Sequence, residues 1–547
     1  MYQYWKYRST DGFGYHEYLT LCEELKAEPV YAVFGGMTVH PDDNVPLDQL
    51  QPYIDNALNA IEYARGPVTS KWGAERVKMG HPEPFKLNYI EIGNEHATPL
   101  YGEYYKRFRE QIKARYPDMT VVMSMFWSGL NPPAIERAGD ANIDMVDEHC
   151  YRDVNWARAN FHYFDRYARG KWPVFVGEYA SQRANGDWAG GMGDSVFLMM
   201  CERNGDLVKM ACYAPLFRNV NDTSWPVNLI DFDSSRSYAH GSYYVQKTFV
   251  ENRPDVNLPL TSEVLPKVDD TKPLLAGKIG LGAWDSQVEY KELRVYDEKD
   301  QLVYSDDFTD LAGWDRPVNG RWSAEGGTLK QTAGGETPAM ILLNKIPELK
   351  TGRITVKARK TGGREGFNIF FNASGIDRFL FCNYGADGNK FSAIHDRGAP
   401  EDTVFRGGRS TPGPIENDRW YDLAVTIKNN SAEMFLDGKR VSSAHVDSLP
   451  KFFSAAGFEQ KTNTVIVKAT NYFATPTQAK ISLDNVAGIA AGAKMISIKN
   501  DNLTGDNNFE SPTRIKPVET SLPVNSKEFT VELPPYSVNV LRIPIQP

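Results

Sequence analysis

The sequence predicts an α/β region, a (β/α)8 barrel, followed by two all-β sandwich domains. Over residues 1 to about 252, short apolar stretches of strand length alternate with helical patterns, and this alternation is typical of a parallel sheet covered by helices. From about residue 260 onward, alternating apolar and polar runs are separated by Gly, Asp and Asn turns, which is the pattern of antiparallel sandwiches. A chain of 547 residues has room for about three domains of this kind.

The α/β region contains six predicted strands. Five predicted helices accompany them: one precedes the first strand, at residues 14–26, and four lie between strands, at 47–64, 101–116, 156–168 and 195–204. The strands are residues 29–36, 87–95, 120–125, 143–149, 172–178 and 208–214. Because a complete barrel has eight strands, we expect the first two to be missing, which makes 87–95 the fourth strand and 172–178 the seventh. A doubly wound open sheet is the competing architecture.

The β-rich remainder is predicted to form two domains. Its strand candidates are residues 277–282, 353–358, 420–427, 464–469 and 529–533. Asp437-Gly438 after an apolar run predicts a hairpin turn. The resulting division is an incomplete barrel over 1–255, a first sandwich over 262–450 and a second sandwich over 451–547.

Composition excludes several classes of protein. The formal net charge is -9 and the isoelectric point is about 5.6, so the chain lacks the basic face that a nucleic-acid partner requires. We find no run of 18 apolar residues that would span a membrane. The five cysteines are odd in number and lack metal-ligand spacing, so we predict that they are free.

Two predicted strands end in a carboxylate. Residues 87–95 end in Gly93-Asn94-Glu95, and residues 172–178 end in Gly177-Glu178. Parallel α/β sheets carry their chemistry at the carboxyl ends of strands, and two carboxylates are the minimum apparatus of a glycoside hydrolase, one as proton donor and one as nucleophile. The amide of Asn94 suits the sugar hydroxyl beside the anomeric carbon.

Six motifs follow one another along the α/β region. They are Ser9-Thr10-Asp11-Gly12-Phe13-Gly14-Tyr15-His16-Glu17-Tyr18, Tyr89-Ile90-Glu91-Ile92-Gly93-Asn94-Glu95, Asp147-Glu148-His149-Cys150-Tyr151, Val176-Gly177-Glu178-Tyr179, Trp225-Pro226-Val227-Asn228-Leu229-Ile230 and Ser242-Tyr243-Tyr244-Val245-Gln246-Lys247. Together these motifs resemble glycoside hydrolase family 51, the α-L-arabinofuranosidases. Their order and spacing cover nearly all of residues 2–252, and residues 451–544 resemble the C-terminal β-sandwich of that family.

The resemblance implies a role for each matching residue. Glu95 matches the family's acid/base and Glu178 its nucleophile. The substrate-binding positions implied in the same way are Asn94, which binds the 2-hydroxyl, His149 and Tyr151, which orient the nucleophile and line the pocket, and Gln246, which contacts the sugar. A His beside a Tyr after an apolar strand is, on its own, more often a core or loop residue. The resemblance implies no metal and no cofactor.

Two departures from the family pattern affect the prediction. Nothing in the chain matches the sugar-binding carboxylate and amide that family members carry on their first strands. We therefore expect this polypeptide alone to have low stability or low activity, because an incomplete barrel has exposed edges. The segment 262–450 resembles a concanavalin or laminin-G-like module inserted before the last sandwich, and both sugar binding and a purely structural role are open for it.

The function predicted from these residues is release of terminal α-L-arabinofuranosyl groups from hemicellulose or pectin side chains with retention of configuration. Retention requires a separation of about 5–5.5 Å between the Glu95 and Glu178 carboxyl groups, whereas about 9 Å would indicate inversion. The alternatives are another barrel glycosidase, such as a xylosidase or endoglucanase, and a carbohydrate-binding protein with an inactive, truncated barrel. The expected partner is a polysaccharide or oligosaccharide substrate, without nucleic acid or membrane. A secreted or periplasmic location is expected, although the N-terminus lacks the apolar core of a signal peptide.

Overall fold

The protein divides into two compact units, residues 1–263 with 451–547 and residues 264–450. The Ser9-Thr10-Asp11 part of the first motif lies outside the residues described by the computed structural model. The described residues are 12–38, 44–126, 129–182, 187–223, 225–262, 274–335, 338–346, 348–376, 378–398, 402–408 and 410–546. Within them, no helix combines the length and the apolar composition needed to cross a membrane.

The first unit is built on a parallel sheet. Six of its strands follow one another in space in the order in which they occur along the described chain, with β5 pairing beside the second half of β6. The strands are β1 (Val30–Val33), β2 (Tyr89–Ile92), β3 (Thr120–Ser124), β4 (Met145–Asp147), β5 (Cys150–Asp153), β6 (Val174–Gln182) and β7 (Val208–Tyr213). A doubly wound sheet reverses its strand order at a switch point. The unbroken order is the winding of a barrel, as the sequence predicts.

Helices connect these strands, as the alternating pattern predicts. They are α1 (Tyr15–Leu25), α2 (Gln51–Arg65), α3 (Lys71–Lys78), α4 (Tyr101–Arg115), α5 (Pro132–Ala138), α6 (Val154–Ala159), α7 (Trp188–Arg203) and α8 (Gly241–Glu251). Short strands β8 (Phe217–Asn219), β9 (Ile230–Phe232) and β10 (Ser237–Ala239) form a small sheet before α8, and β11 (Val256–Leu258) follows it. The sequence-based prediction missed α3, α5 and α8.

The helix predicted over 156–168 is wrong in its extent. Asp153 caps α6 by accepting a hydrogen bond from the Trp156 N–H at 2.8 Å, so the helix begins at Val154. It ends at Ala159, where the Asn160 side chain bonds the carbonyl of Trp156 at 2.9 Å. Asn competes for backbone groups in this way and therefore ends helices.

The second unit is a β-sandwich of a six-stranded and a nine-stranded antiparallel sheet within its described residues. The Asp437-Gly438 hairpin is confirmed: both residues have positive φ, 48° and 74°, as a tight turn between paired strands requires. The strands are β12 (Lys278–Ala283), β13 (Ser286–Tyr296), β14 (Leu302–Asp306), β15 (Trp322–Glu325), β16 (Thr328–Gln331), β17 (Ala339–Leu342), β18 (Gly352–Gly363), β19 (Phe367–Ala373), β20 (Phe379–Gly385), β21 (Phe391–Arg397), β22 (Thr403–Gly407), β23 (Thr411–Pro412), β24 (Trp420–Lys428), β25 (Ser431–Leu436) and β26 (Lys439–Ser448).

The C-terminal sandwich belongs to the first unit and packs against the barrel. Its six-stranded sheet has the order β11-β27-β28-β33-β30-β31, and β29 pairs with β32. Its remaining strands are β27 (Phe452–Glu459), β28 (Thr464–Asn471), β29 (Thr477–Ser482), β30 (Lys494–Lys499), β31 (Val518–Ser521), β32 (Glu528–Leu533) and β33 (Ser537–Pro544). Because β11 precedes residues 264–450 in the chain, the second unit is inserted between two strands of this sheet.

Helix α7 lies between the barrel sheet and the C-terminal sandwich. It contacts β6 on one side and β27, β28 and β33 on the other, and nearly all of its residues from Trp188 to Cys201 are buried. The Trp188 indole donates a hydrogen bond to the Tyr536 carbonyl at 2.6 Å, and the Ser195 and Thr470 hydroxyls bond at 2.7 Å. Burial on all sides explains why the helix lacks a polar stripe and was predicted to begin only at residue 195.

Candidate active site

Glu95 stands on a tight turn at the carboxyl end of β2. Gly93 and Glu95 both have positive φ, 79° and 54°. A Cβ at position 93 would lie 2.1 Å from Nε2 of the buried His96, so only Gly fits there. The backbone N–H of Glu95 donates to the Ser124 hydroxyl at the end of β3 at 3.0 Å. A positive φ at a residue other than Gly is uncommon and clusters at functional sites.

Glu178 lies in β6, three strands further along the sheet. The Tyr151 hydroxyl donates a hydrogen bond to Oε2 of Glu178 at 2.6 Å. The preceding residue, Gly177, donates its backbone N–H to Oδ1 of Asp147 at 2.6 Å. Strand β6 is thereby hydrogen-bonded to Asp147 of β4 and to Tyr151 of β5.

His149 joins the two carboxylates. Its Nδ1 lies 2.8 Å from Oε1 of Glu95 and 3.6 Å from Oε2 of Glu178, and its Nε2 lies 2.9 Å from Oδ2 of Asp147. Burial disfavours the charged imidazolium, but the hydrogen bonds to Asp147 and Glu95 outweigh it and raise the pKa of His149 to about 10. The imidazole is therefore protonated over the neutral pH range.

The spacing of the carboxylates agrees with the retaining geometry. Ligand atoms of Glu95, His149 and Glu178 all lie within 4.8 Å of one another, so an oxygen of one carboxylate is within 4.8 Å of an oxygen of the other. Retaining glycosidases hold the two carboxyl groups about 5–5.5 Å apart, and inverting enzymes hold them at least about 6.5 Å apart to admit a water.

The surroundings of Glu178 raise its pKa. Burial is the largest cause, and the negative charges of Glu95 and Asp147 act in the same direction. The positive charge of His149 and the hydrogen bond from Tyr151 act in the opposite direction and favour the ionised form. The carboxylate therefore depends on these two neighbours for its charge, which a nucleophile needs.

Glu148 lies between two site residues in sequence but points away from the site. It is completely buried, and its two carboxyl oxygens accept hydrogen bonds from the Tyr163 and Tyr167 hydroxyls, the latter at 2.7 Å. Alternation along the extended backbone places Asp147 and His149 on one side and Glu148 on the other. This third glutamate is accordingly part of the packing outside the sheet.

Four of the predicted site residues come together in the structure: Glu95, His149, Tyr151 and Glu178. The ring of Trp225 lies against Tyr151, with ring centres 5.8 Å apart. Asn94 is exposed at the end of β2, beside Glu95.

Gln246 contacts the residue that follows Glu178. It belongs to α8 and accepts a hydrogen bond from the Tyr179 hydroxyl. Tyr179 follows Glu178 in β6 and is buried against Phe197 of α7. The predicted contact between Gln246 and a sugar therefore stays a prediction.

The prediction from sequence missed three residues of the cluster: Glu91, Ser124 and Asp147. Both acids are buried within apolar strands, and a charge inside a buried strand is itself a signal, because such a group requires a partner. Ser124 has no distinguishing pattern in the sequence.

Comparison with known proteins identifies the family. Residues 1–169 match the family model of the α-L-arabinofuranosidase 1 domain, and residues 170–537 match that of the α-L-arabinofuranosidase C-terminal domain. The chain belongs to the α-L-arabinofuranosidase family. The family predicted from the sequence motifs is thereby confirmed.

Relatives of this arabinofuranosidase-family chain include bacterial and fungal proteins. An extracellular exo-α-L-arabinofuranosidase of Streptomyces chartreusis is 32% identical over 556 residues, which cover 99% of the chain and 65% of the relative. The α-L-arabinofuranosidase A of Aspergillus niger is 37% identical over 270 residues, which cover 47% of the chain and 42% of the relative. The chain thus spans less than two thirds of the length of either protein.

Solved structures share the fold of this family member. An arabinose-bound family 51 α-L-arabinofuranosidase superposes with a TM-score of 0.58 at 18% identity, covering 99% of the chain and 58% of that structure. An arabinose complex of the Thermotoga maritima α-L-arabinofuranosidase gives 0.52 at 14% identity, covering 99% and 81%. The predicted fold class, an α/β barrel followed by β-sandwiches, is therefore confirmed.

Proposed function

We propose that the chain is a retaining glycoside hydrolase that releases terminal α-L-arabinofuranosyl groups from arabinan- or arabinoxylan-type polysaccharides. The observation that carries the proposal is the Glu95–His149–Glu178 cluster, with carboxylate oxygens within 4.8 Å on strands of one parallel sheet. A pair of carboxylates at this spacing suits double displacement. Membership of the α-L-arabinofuranosidase family and the relatives' names support the choice of sugar.

In the first step, protonated Glu95 donates its proton to the glycosidic oxygen while the ionised Glu178 attacks the anomeric carbon. The bond from the sugar to the leaving group breaks, and a glycosyl ester of Glu178 forms. In the second step, Glu95 as carboxylate takes a proton from water, whose oxygen displaces Glu178. Two inversions at one carbon give net retention.

Neighbouring residues support these two roles. The Tyr151 hydroxyl holds Oε2 of Glu178, which aims the other oxygen, Oε1, and keeps the group ionised. His149 contacts both carboxylates through one nitrogen. We assign Asn94, exposed beside Glu95, to the sugar 2-hydroxyl and keep Gln246 as a proposed sugar contact.

The location and domain roles are part of the proposal. One relative is extracellular, and we place this protein outside the cytoplasm, where plant polysaccharides occur. We also propose that residues 1–255 are the catalytic domain and that 262–450 and 451–547 are separate sandwich modules.

Hydrolysis of 4-nitrophenyl α-L-arabinofuranoside tests the proposal. We expect the wild-type chain to release nitrophenol and Glu178→Gln to lower kcat by at least about 10³-fold. Proton NMR of the first sugar product should show the anomer of the substrate. Exposed Glu110 on α4 provides the matched control, because Glu110→Gln should leave kcat unchanged.

The kinetics of a Glu95 variant test the acid/base assignment separately. Nitrophenolate leaves without protonation, so Glu95→Ala should slow chiefly the second step, and added azide should restore turnover and yield an arabinofuranosyl azide of the substrate's configuration. Faster hydrolysis of nitrophenyl xyloside or glucoside would favour another barrel glycosidase. Polymer binding without hydrolysis in either the wild type or Glu178→Gln would favour a carbohydrate-binding protein.

A further inference from the structure

The Asp147 carboxylate contacts two residues that hold the catalytic glutamates in place, Gly177 and His149. Its Oδ1 accepts the backbone N–H of Gly177, the residue before Glu178, at 2.6 Å. Its Oδ2 lies 2.9 Å from His149 Nε2, and the other nitrogen of that imidazole contacts Glu95 at 2.8 Å. Asp147 is 1% exposed, so it lies behind the site and is shielded from substrate.

Glu91 is a second buried carboxyl group behind the site. It lies on β2 and is 5% exposed, and its Oε1 has no hydrogen-bond partner among the described residues. Burial, followed by the negative charge of Asp147, raises the pKa of Glu91 well above its usual range and favours its neutral form.

We propose that Asp147 and Glu91 are positioning residues for the reaction: Asp147, through its contact with Nε2 of His149, sets how tightly the His149–Glu95 pair holds the catalytic proton, and Glu91 fills the buried space behind this pair without adding a charge. This inference rests on the proposed function, because that function assigns the roles of Glu95 and Glu178. The inference goes beyond that function, because it assigns control of the catalytic proton to residues that do not contact the sugar.

The proton moves within a single hydrogen bond. In one state, His149 carries protons on both nitrogens and Glu95 is ionised. In the other, the Nδ1 proton has passed to Oε1 of Glu95, leaving a neutral imidazole whose Nε2–H still donates to Asp147. The second state is the acid that cleaves the glycosidic bond, and both states contain the same number of protons.

Charged and titratable groups surround His149 on several strands. Each of them contributes to the proton affinity of the pair. They are Glu91 and Glu95 on or after β2, Asp147 on β4, Tyr151 on β5, Glu178 on β6 and, facing Asp147 from β7, Cys212.

NMR titration of His149 tests the inference without substrate. In protein carrying ¹⁵N-labelled histidine, the His149 resonances are assigned by their loss in His149→Gln. We expect Asp147→Asn to lower the titration midpoint of His149 by at least about one pH unit, because the variant removes the negative charge at Nε2. An unchanged midpoint, even with lower thermal stability, would show a merely structural role and overturn the inference.

Glu91→Gln provides the second variant and stays informative if Asp147→Asn does not fold. Gln replaces a neutral acid with a neutral amide of similar size, so we expect the His149 midpoint to stay in place. If the His149 midpoint fell as far as we expect for Asp147→Asn, Glu91 would be ionised in the wild type, and the inference would be wrong.

The pH profile of hydrolysis adds a kinetic measurement. Loss of the shared proton defines the alkaline limb of kcat/KM, so Asp147→Asn should move this limb to lower pH and lower kcat by about 10²-fold or more. A wild-type chain that hydrolyses no arabinofuranoside would refute the proposed function, whereas the NMR midpoints would still decide the inference.

Discussion

At the scale of the residue, the site depends on how three carboxylates share one imidazole. Glu95, Glu178 and Asp147 all lie within hydrogen-bond or ion-pair distance of His149. Three anions around one cation leave a net negative site, which suits a positively charged, oxocarbenium-like transition state. The two strand-end glutamates were predictable from sequence, because each ends an apolar strand. The identity of the group between them was predictable only through family resemblance.

The hydroxyl of Tyr151 provides a test at this scale. Tyr151→Phe removes the hydrogen bond to Oε2 of Glu178, and hydrogen bonds to charged groups contribute about 1.5–3 kcal/mol. We expect kcat to fall roughly 10- to 100-fold. The bond favours the ionised form of Glu178, so its loss raises the pKa of Glu178 and moves the acid limb of kcat/KM to higher pH.

The kinetic pH profile of the variant checks this prediction, with exposed Tyr18 as the site of a control Tyr18→Phe. A lower kcat with an unmoved acid limb would contradict the assignment of that limb to Glu178.

At the scale of the element, β6 shows why glycine precedes Glu178. A Cβ at Gly177 would lie 2.5 Å from Oδ2 and 2.6 Å from Oδ1 of Asp147. The absence of a side chain lets the buried carboxylate approach the strand and accept its N–H. The Gly-Glu pair that the sequence shows is thus explained by a contact with another strand.

Gly177→Ala should therefore destabilise the protein and impair catalysis. Overpacking of this kind costs about 1–3 kcal/mol, and displacement of β6 moves Glu178 relative to Glu95. We expect a lower midpoint in urea unfolding together with a kcat lowered more than 10-fold.

The matched control is Gly375→Ala, because a Cβ built at Gly375 has no atom within 4 Å. Equal midpoints and equal kcat for the two variants would show that the close contact with Asp147 has no energetic consequence.

Element boundaries also show where sequence patterns fail. The helix predicted over 156–168 ends at Ala159, because one Asn side chain bonds the backbone. Helix α7 begins seven residues earlier than predicted, at Trp188, since it is buried on all sides and has no amphipathic period to read. Capping by a side chain therefore shortened the first helix, and burial in the tertiary structure hid the start of the second.

At the scale of the whole molecule, the barrel and the C-terminal sandwich share one interface. Lys468 of β28 has a side chain only 2% exposed and pairs with Glu202 of α7. Burial lowers the pKa of Lys468 and raises that of Glu202, while their mutual attraction opposes both shifts. Each charge in this interface therefore depends on the other.

Removing one partner should destabilise the first unit strongly. Lys468→Met removes the cation paired with Glu202, whose side chain is only 18% exposed, and breaking a buried pair costs about 3–5 kcal/mol. We expect the double variant Lys468→Met/Glu202→Leu to recover much of the lost free energy of unfolding, measured by chemical denaturation.

The comparison pair is Lys480 with Glu528, which are 69% and 62% exposed and lie in the same sandwich. Lys480→Met should leave the unfolding midpoint nearly unchanged, because exposed ion pairs are screened by water and salt. Equal free energies of unfolding for Lys468→Met and Lys468→Met/Glu202→Leu would contradict the prediction.

The sequence by itself determined the fold class, six of the seven strands of the barrel sheet and the two strand-end glutamates, Glu95 and Glu178. These features follow from local periodicity and from residue types at strand ends, which a linear pattern contains. Only the tertiary structure decided that Glu91 and Asp147 stand behind His149, that Glu148 points outward, and that β11 joins the C-terminal sheet before the inserted unit begins. These arrangements depend on contacts between strands far apart in the chain, whose register and facing side chains no local pattern specifies.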